Sequence, residues 1–292
     1  MIENKGYQIL FNVILLIVAL FMILPLLLLF ISSITDENTL IANGYSFFPS
    51  RLSLGAYEYM VSNSSTILRA YGITILTTAL GTILGLTITA MMSFGLSIKG
   101  LPGNRIISFF IFFTMLFNGG LVPTYILWTS LGVVNTLGAY VFPLLLTNAF
   151  SIILVRSYLA SNIPNELYES AKIDGAGYFR IFFQMVIPLG KPILATIGLF
   201  SCLLYWNDWQ NALYFITDPD QLSIQALLNK MNQNIQSVIS NSVSSSTSAV
   251  TNLPQASIRM AIAFIAILPI LVLYPFLQRY FASGIMGGAV KG

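Results

Sequence analysis

The 292-residue chain is 56% hydrophobic and only 8% charged, with 13 Lys+Arg against 10 Asp+Glu, whereas soluble chains carry about 25% charged residues. So few charges exclude a soluble enzyme and a disordered protein, and a net charge of +3 is too small to suggest a nucleic-acid partner. The absence of His excludes His-dependent catalytic dyads and His metal sites, and the single cysteine, Cys202, forms no internal disulfide. The class that fits is an all-α, polytopic membrane protein.

Taken in chain order, apolar runs long enough to cross a bilayer, about 20 residues, recur. Thirty uncharged residues, Gly6–Thr35, lie between Lys5 and Asp36. This run exceeds a signal h-region of about 7–15 residues and no small-residue cleavage site follows it, so it reads as a retained membrane helix. An outward-facing segment, Ser33–Arg69, comes next. Another 29 uncharged residues separate Arg69 from Lys99, and within them Gly81 and Gly85 form a small-residue contact face. The 50 uncharged residues between Arg105 and Arg156 are too many for one helix and predict a hairpin of two, with its polar turn near Thr129–Thr136. Asn118-Gly119-Gly120 interrupts the first of these spans, where paired glycines serve either packing or the lining of a path. Spans five and six are expected at Pro192–Ile216 and Met260–Gln278. Between them, Thr217–Ile258 holds seven Ser in the twelve residues Ser237–Ser248. It reads as a flexible external loop or as a surface for an external partner.

With the N-terminus in the cytoplasm, six spans place nine Lys/Arg inside (Lys5, Lys99, Arg105, Arg156, Lys172, Arg180, Lys191, Arg279, Lys291) and four outside (Arg51, Arg69, Lys230, Arg259). The inside excess predicts that both termini are cytoplasmic.

The inside connection between spans four and five, Arg156–Lys191, is patterned as membrane loops rarely are. Pro164 suits the first turn of a helix, and Glu166 and Glu169 suit its positive end. Leu167, Ala171 and Ser170 leave one side small or apolar, and Gly175 ends the helix with a left-handed cap. A second helix, Tyr178 to Val186, would place Phe179, Phe182, Phe183 and Val186 on one face before Pro188 stops it. Two short helices with a bend make either a rigid knob for a groove or an interfacial hairpin that only anchors the loop.

Glu169-Ser170-Ala171, three residues, Gly175, nine residues, then Met185, Ile187 and Pro188 resembles the EAA loop of ABC-importer permeases, E-A-A, three residues, G, nine residues, I-x-L-P. Ser170 stands for the first Ala, Met185 for Ile and Ile187 for Leu, all small or volume-similar changes. Asp174-Gly175-Ala176 looks like the form used by the carbohydrate-uptake, maltose-permease-like branch. Thr35–Met60 is similar to that branch's first external segment, and Trp206-Asn207-Asp208 to its fifth-span signature. Leu116–Leu127 and Tyr274–Gly292 look like permeases of the aldouronate and complex-polysaccharide group.

The resemblance covers nearly the whole chain and implies one permease domain, 1–292, with a cytoplasmic coupling loop at 156–191 and an external Ser-rich loop at 217–258. It assigns ATPase coupling to Glu169, Ala171, Asp174, Gly175 and Pro188, with Glu166, Ala176 and Arg180 beside them in the same loop. It implies a multi-pass protein of the bacterial plasma membrane that works with a second homologous permease, a cytoplasmic ABC ATPase dimer and an extracellular lipid-anchored solute-binding protein. ATP and Mg would be bound by the ATPase, with no cofactor on this chain, and the cargo would be an oligosaccharide. The residues agree on one point: the only Gly-Lys pair, Gly190-Lys191, precedes Pro192 and belongs to no Walker loop, so energy must come from another polypeptide.

Within the spans the one plausible ionisable group is Asp208, beside Tyr205, Trp206, Asn207 and Trp209. These residues read as an interfacial aromatic belt or as the border of a translocation path. Aromatic rings pack on apolar sugar faces while amide and carboxylate groups pair with hydroxyls. Asn118 is the further path candidate. An ion-coupled secondary transporter would need several buried ionisable groups and an internal repeat. An intramembrane aspartyl protease would need a second Asp. A purely structural scaffold leaves the loop spacing unexplained.

Overall fold

The computed structural model describes residues 5–62, 64–98, 100–145, 148–244 and 255–289. Lys99, Lys291 and the stretch 245–254 of the Ser-rich segment lie outside the described residues, as do the side chains of most of the C-terminal segment after Tyr274. The described chain is all-helical apart from one isolated antiparallel bridge, Thr35 to Leu52. It forms two compact units, Met1–Leu68 with Leu227–Leu271, and Arg69–Ala226 with Val272–Gly292.

The first unit begins with α1 (Lys5–Ser33), a 29-residue helix containing Pro25. Its apolar stretch, Gly6–Ser33, is long enough to span a bilayer, and none of its most apolar window is buried by protein. Ile34, Asp36, Arg51 and Ser53 exchange backbone hydrogen bonds around the Thr35–Leu52 bridge. Asp36 then caps α2 (Glu37–Asn43) by accepting from the Asn38 N–H at 3.1 Å, and α3 (Gly55–Ser62) follows. Here too lie most of α14 (Ile224–Ser244) and the start of α15 (Gln255–Ala289). The Glu37 carboxylate accepts from the backbone N–H groups of Ala256 and Ser257 and from the Ser257 hydroxyl, at 2.9, 2.8 and 2.6 Å. An anion is thereby set on the positive end of α15.

The second unit takes α4 (Ser64–Ser97) from Arg69 onward, then α5 (Asn104–Leu116), α6 (Leu121–Ser130), α7 (Gly138–Leu145) and α8 (Ala149–Asn162). It continues with α9 (Asn165–Ile173) and α10 (Tyr178–Ile181), which runs through a π turn (Phe182–Val186) into α11 (Ile187–Leu189). It ends with α12 (Lys191–Trp206), α13 (Gln210–Phe215) and a 3₁₀ turn, Pro219–Gln221, that leads into α14. A core of Ala90 and Phe94 (α4), Val155 and Leu159 (α8) and Ile193, Leu194 and Ile197 (α12) binds three spans together. A second core joins Trp128, Val133, Ala139 and Tyr140 to Ala212, Phe215 and Ile216.

Several expected spans are bent, the third at the Asn118-Gly119-Gly120 interruption that the sequence marks. It breaks at Phe117–Gly120, and the chain turns by 118° between α5 and α6. Asn118 Oδ1 accepts from the Gly120 N–H at 2.8 Å, and Gly120 sits at φ +87, where glycine alone is unstrained. The fifth does not run unbroken from Pro192 to Ile216, because α12 ends at Trp206 and α13 begins at Gln210. Pro188 does not stop the second loop helix. Proline is tolerated in the first turn after the π turn, and the chain turns by 84° only between Leu189 and Lys191. A Cβ on buried Gly190 would stand 2.7 Å from the Val186 carbonyl, so the corner is built for glycine. The segment read as a Ser-rich loop is helical over Ile224–Ser244. Ile224, Leu227, Leu228, Met231, Ile235 and Val238 carry the helical period that the serine content obscured.

Candidate functional site

The patterned loop is a two-armed elbow. Pro164, with extended backbone, precedes α9, whose first turn carries Glu166 and whose last carries Lys172. The helix closes in a Schellman arrangement: the Ala176 N–H donates to the Ala171 carbonyl at 2.9 Å and the Gly175 N–H to that of Lys172 at 3.0 Å, with Gly175 at φ +77. No atom lies within 4 Å of a Cβ placed on Gly175, so backbone conformation, not space, selects glycine there. Gly177 then opens α10, and Lys172 Nζ sits 4.8 Å from the Tyr178 ring centroid, a cation–π contact between the arms.

The underside of the elbow is fixed to the spans. Tyr168, Ile181, Phe182 and Val186 are buried with Phe94, Val155 and Leu159, and Ala171, Ala176, Met185 and Ile187 pack against them. Burying one such large side chain contributes about 1.5–3 kcal/mol. Phe94 makes ring contacts with both Tyr168 and Phe182, at 5.9 and 5.8 Å between centroids. Burial pushes the Tyr168 phenol above its usual pKa of 10.0. The expected aromatic face is split: Phe182 and Val186 are buried, whereas Phe179 and Phe183 are exposed, because the π turn shifts the phase of the side chains.

The outer side carries most of the coupling residues read from the sequence. Glu166, Glu169, Asp174, Gly175, Arg180 and Pro188 are exposed, while Ala171 and Ala176 are partly buried. Ala171, Asp174, Ala176 and Arg180 line one cleft of about 200 Å³ with Gln184 and Met185. Arg180 Nε donates to Gln184 Oε1 at 3.1 Å, and Pro188 lies outside this cleft. Sequence reasoning missed Ile173, 86% exposed at the end of α9, and the exposure of Phe179 at 68%. Ile173 falls two residues beyond Ala171, off the small and apolar side of α9, and that mismatch was the available signal.

The path candidates divide. Asn118 is exposed and its amide is engaged at the α5–α6 break. Tyr205 and Trp206 are buried. The Tyr205 hydroxyl donates to the Val141 carbonyl at 3.3 Å, its ring fills the notch at Gly81, and Trp206 stacks obliquely on Tyr71. Asn207 is exposed and its amide donates back to the Leu203 carbonyl. Asp208, only 9% exposed, accepts from the backbone N–H and side-chain amide of Asn211 at 3.2 and 2.9 Å. Its carboxylate therefore caps α13. Trp209 is 38% exposed.

A network that the sequence did not reveal surrounds this break. Asn135, at φ +54, donates its backbone N–H to the Phe215 carbonyl at 2.9 Å and accepts at Oδ1 from the N–H groups of Thr217 and Asp218, at 2.7 and 3.2 Å. The Tyr140 hydroxyl donates to the Gln221 carbonyl and accepts from the Ser223 N–H, each at 2.9 Å. Thr74 Oγ1 accepts from the Ile224 N–H at 2.9 Å, and Arg69 pairs with Asp220. Among the described residues no group of three His, Cys, Asp or Glu could hold a metal ion.

No family model matches the chain. It is 34% identical over 293 residues, 99% of this chain and 100% of the other, to the polygalacturonan/rhamnogalacturonan transport system permease protein YtcP of Bacillus subtilis. It is 35% identical over 272 residues, 92% of this chain and 90% of the other, to protein LplC of the same organism. Its fold matches a crystal structure of a bacterial ABC transporter involved in the import of the acidic polysaccharide alginate, with TM-score 0.77, 28% identity and coverage of 96% and 98%. These relatives decide against the ion-coupled alternative. They make the chain a non-catalytic subunit of a bacterial plasma-membrane importer, with ATP hydrolysis performed by a separate ATPase. The chain belongs to the permease family of carbohydrate ABC importers.

Proposed function

We propose that this permease forms half of the path for oligosaccharides cut from acidic polysaccharides, and that its elbow is the handle by which an ATPase dimer moves it. The substrate reading rests on the relatives, since YtcP is named for polygalacturonan and rhamnogalacturonan and the structural neighbour for alginate. In this reading six spans cross the membrane with both termini in the cytoplasm, and a second homologous permease encloses the other side of the path. A lipid-anchored solute-binding protein delivers the sugar from outside. Trp206, Tyr205, Asp208 and their neighbours Asn207, Trp209 and Asn118 border the route.

The observation that carries the coupling role is the contrast between the two sides of the elbow. One side is cemented to α4, α8 and α12 through Phe94, Val155 and Ile197. The other exposes Glu166, Glu169, Ile173, Asp174, Phe179 and Arg180. A body rigid on one face and sticky on the other passes a push received at its tip directly to three spans. ATP favours one of the two access states by binding the ATPase arrangement that the elbow fits. In the reconstituted importer, Glu169→Lys and Gly175→Pro are expected to leave the permease in the membrane and abolish sugar-stimulated ATP hydrolysis. Full stimulation in both variants overturns the docking role.

A further inference from the structure

We propose that Asn135 is a positioning residue for docking of the solute-binding protein: its side-chain amide holds the segment 217–223 in the form that the binding protein meets. The inference rests on the outward orientation argued above. The observations are local to the second unit. Among the described residues, Asn135 alone combines a side chain with positive φ, a conformation usually left to glycine. A turn needs only the backbone for that, and Gly132, at φ +70, supplies the same conformation three residues earlier. The side chain does something further. Oδ1 takes the two successive N–H groups of Thr217 and Asp218, and Nδ2 donates to Thr217 Oγ1 at 2.8 Å, across 82 residues of sequence.

From that clasp onward almost every residue is registered. Asp218 caps the 3₁₀ turn by accepting from the Asp220 N–H at 2.9 Å and from the Gln221 amide at 3.2 Å. Asp220 pairs with Arg69 on α4, Gln221 and Ser223 are tied to the Tyr140 hydroxyl, and Ile224 to Thr74. The result is a short exposed strip, Thr217, Pro219 and Asp220, that is polar and preset in shape, its one carboxylate paired with Arg69. A preset surface loses little conformational freedom on binding, and its polarity suits a water-soluble protein partner better than lipid or another span. The strip is also coupled inward. Asn135 binds the Phe215 carbonyl, and the Phe215 ring is buried with Trp128 and Tyr140 and stacks on Tyr125 of α6 at 5.8 Å. Pressure on the strip therefore reaches the bent third span and the fourth together.

Two variants separate this role from that of a turn former. Asn135→Gly keeps the left-handed backbone and removes the amide, and Asn135→Asp keeps an acceptor for the Thr217 and Asp218 N–H groups. ATP hydrolysis by the complete importer in nanodiscs is measured against the concentration of sugar-loaded binding protein. Asn135→Gly is expected to raise the binding-protein concentration for half-maximal stimulation about fivefold, the low end of coupling between sites. Basal hydrolysis and the maximal stimulated rate stay as in the unaltered importer, and Asn135→Asp recovers most of the shift. An Asn135→Gly curve that overlays the unaltered one overturns the inference, as does a lower maximal rate in step with lost assembly. If the unaltered importer shows no stimulation by any loaded binding protein, the proposed function itself fails.

Discussion

Gly81 and Gly175 are glycine for different physical reasons, and the sequence disclosed only one of them. At Gly175 the chain needs the left-handed backbone that closes α9, a requirement readable from an acid-rich helix followed by Asp-Gly. At Gly81 the backbone is helical and the demand is spatial, because a Cβ there would overlap the Tyr205 ring. The spacing to Gly85 hinted at contact but not with what, since the partner lies more than a hundred residues away. Gly81→Ala is expected to destabilise the detergent-solubilised complex by about 1–3 kcal/mol, the usual cost of overpacking, seen as a lower melting midpoint. The path candidates were chosen by residue type, which says nothing of their environment. Asn207 and Trp209 were placed beside Asp208 from sequence, yet only the fold shows that the Asp208 carboxylate is already engaged by Asn211. In the proposed function Trp206→Ala is expected to cut sugar uptake more than assembly, read by comparing labelled-sugar flux with co-purification yield. Unchanged flux would leave Trp206 as packing against Tyr71.

Elements were read well where one periodicity ruled and poorly where two features competed. The long runs of α1 and α4 are continuous helices in the structure. Of the bends, the sequence marked the one at Asn118-Gly119-Gly120 but not its size, since hydropathy measures only how apolar a run is. Asn118 and Gly120 end α5 through a side-chain hydrogen bond and a positive φ. The π turn of Phe182–Val186 carries no residue signature at all, so the aromatic face of the second loop helix was drawn in the wrong phase. The Glu37 contact belongs to this scale. Its carboxylate satisfies N–H groups that a helix terminus leaves without internal partners, but α2 and α15 are more than two hundred residues apart in sequence. Glu37→Ala would strand the Ala256 and Ser257 N–H groups and is expected to cost about 1–3 kcal/mol. Hydrogen exchange at the start of α15 should then rise while exchange in α12 stays unchanged.

For the molecule as a whole, composition pointed to the class and the loop spacing to the family, which the relatives then showed. The fold then explains why the patterned loop is tied to the spans, through Phe94, Leu159 and Ile197. The 84° corner at Gly190 has a mechanical meaning. From Leu189 back to Tyr178 the limb measures about 18 Å at helical rise, and because Ile181, Phe182 and Val186 pack with Ile193, Leu194 and Ile197 across the corner, limb and α12 turn as one body. If the elbow is the ATPase's handle, as proposed, filling that corner with any larger side chain, against the Val186 carbonyl, would blunt the gearing between motor stroke and channel wall without touching either.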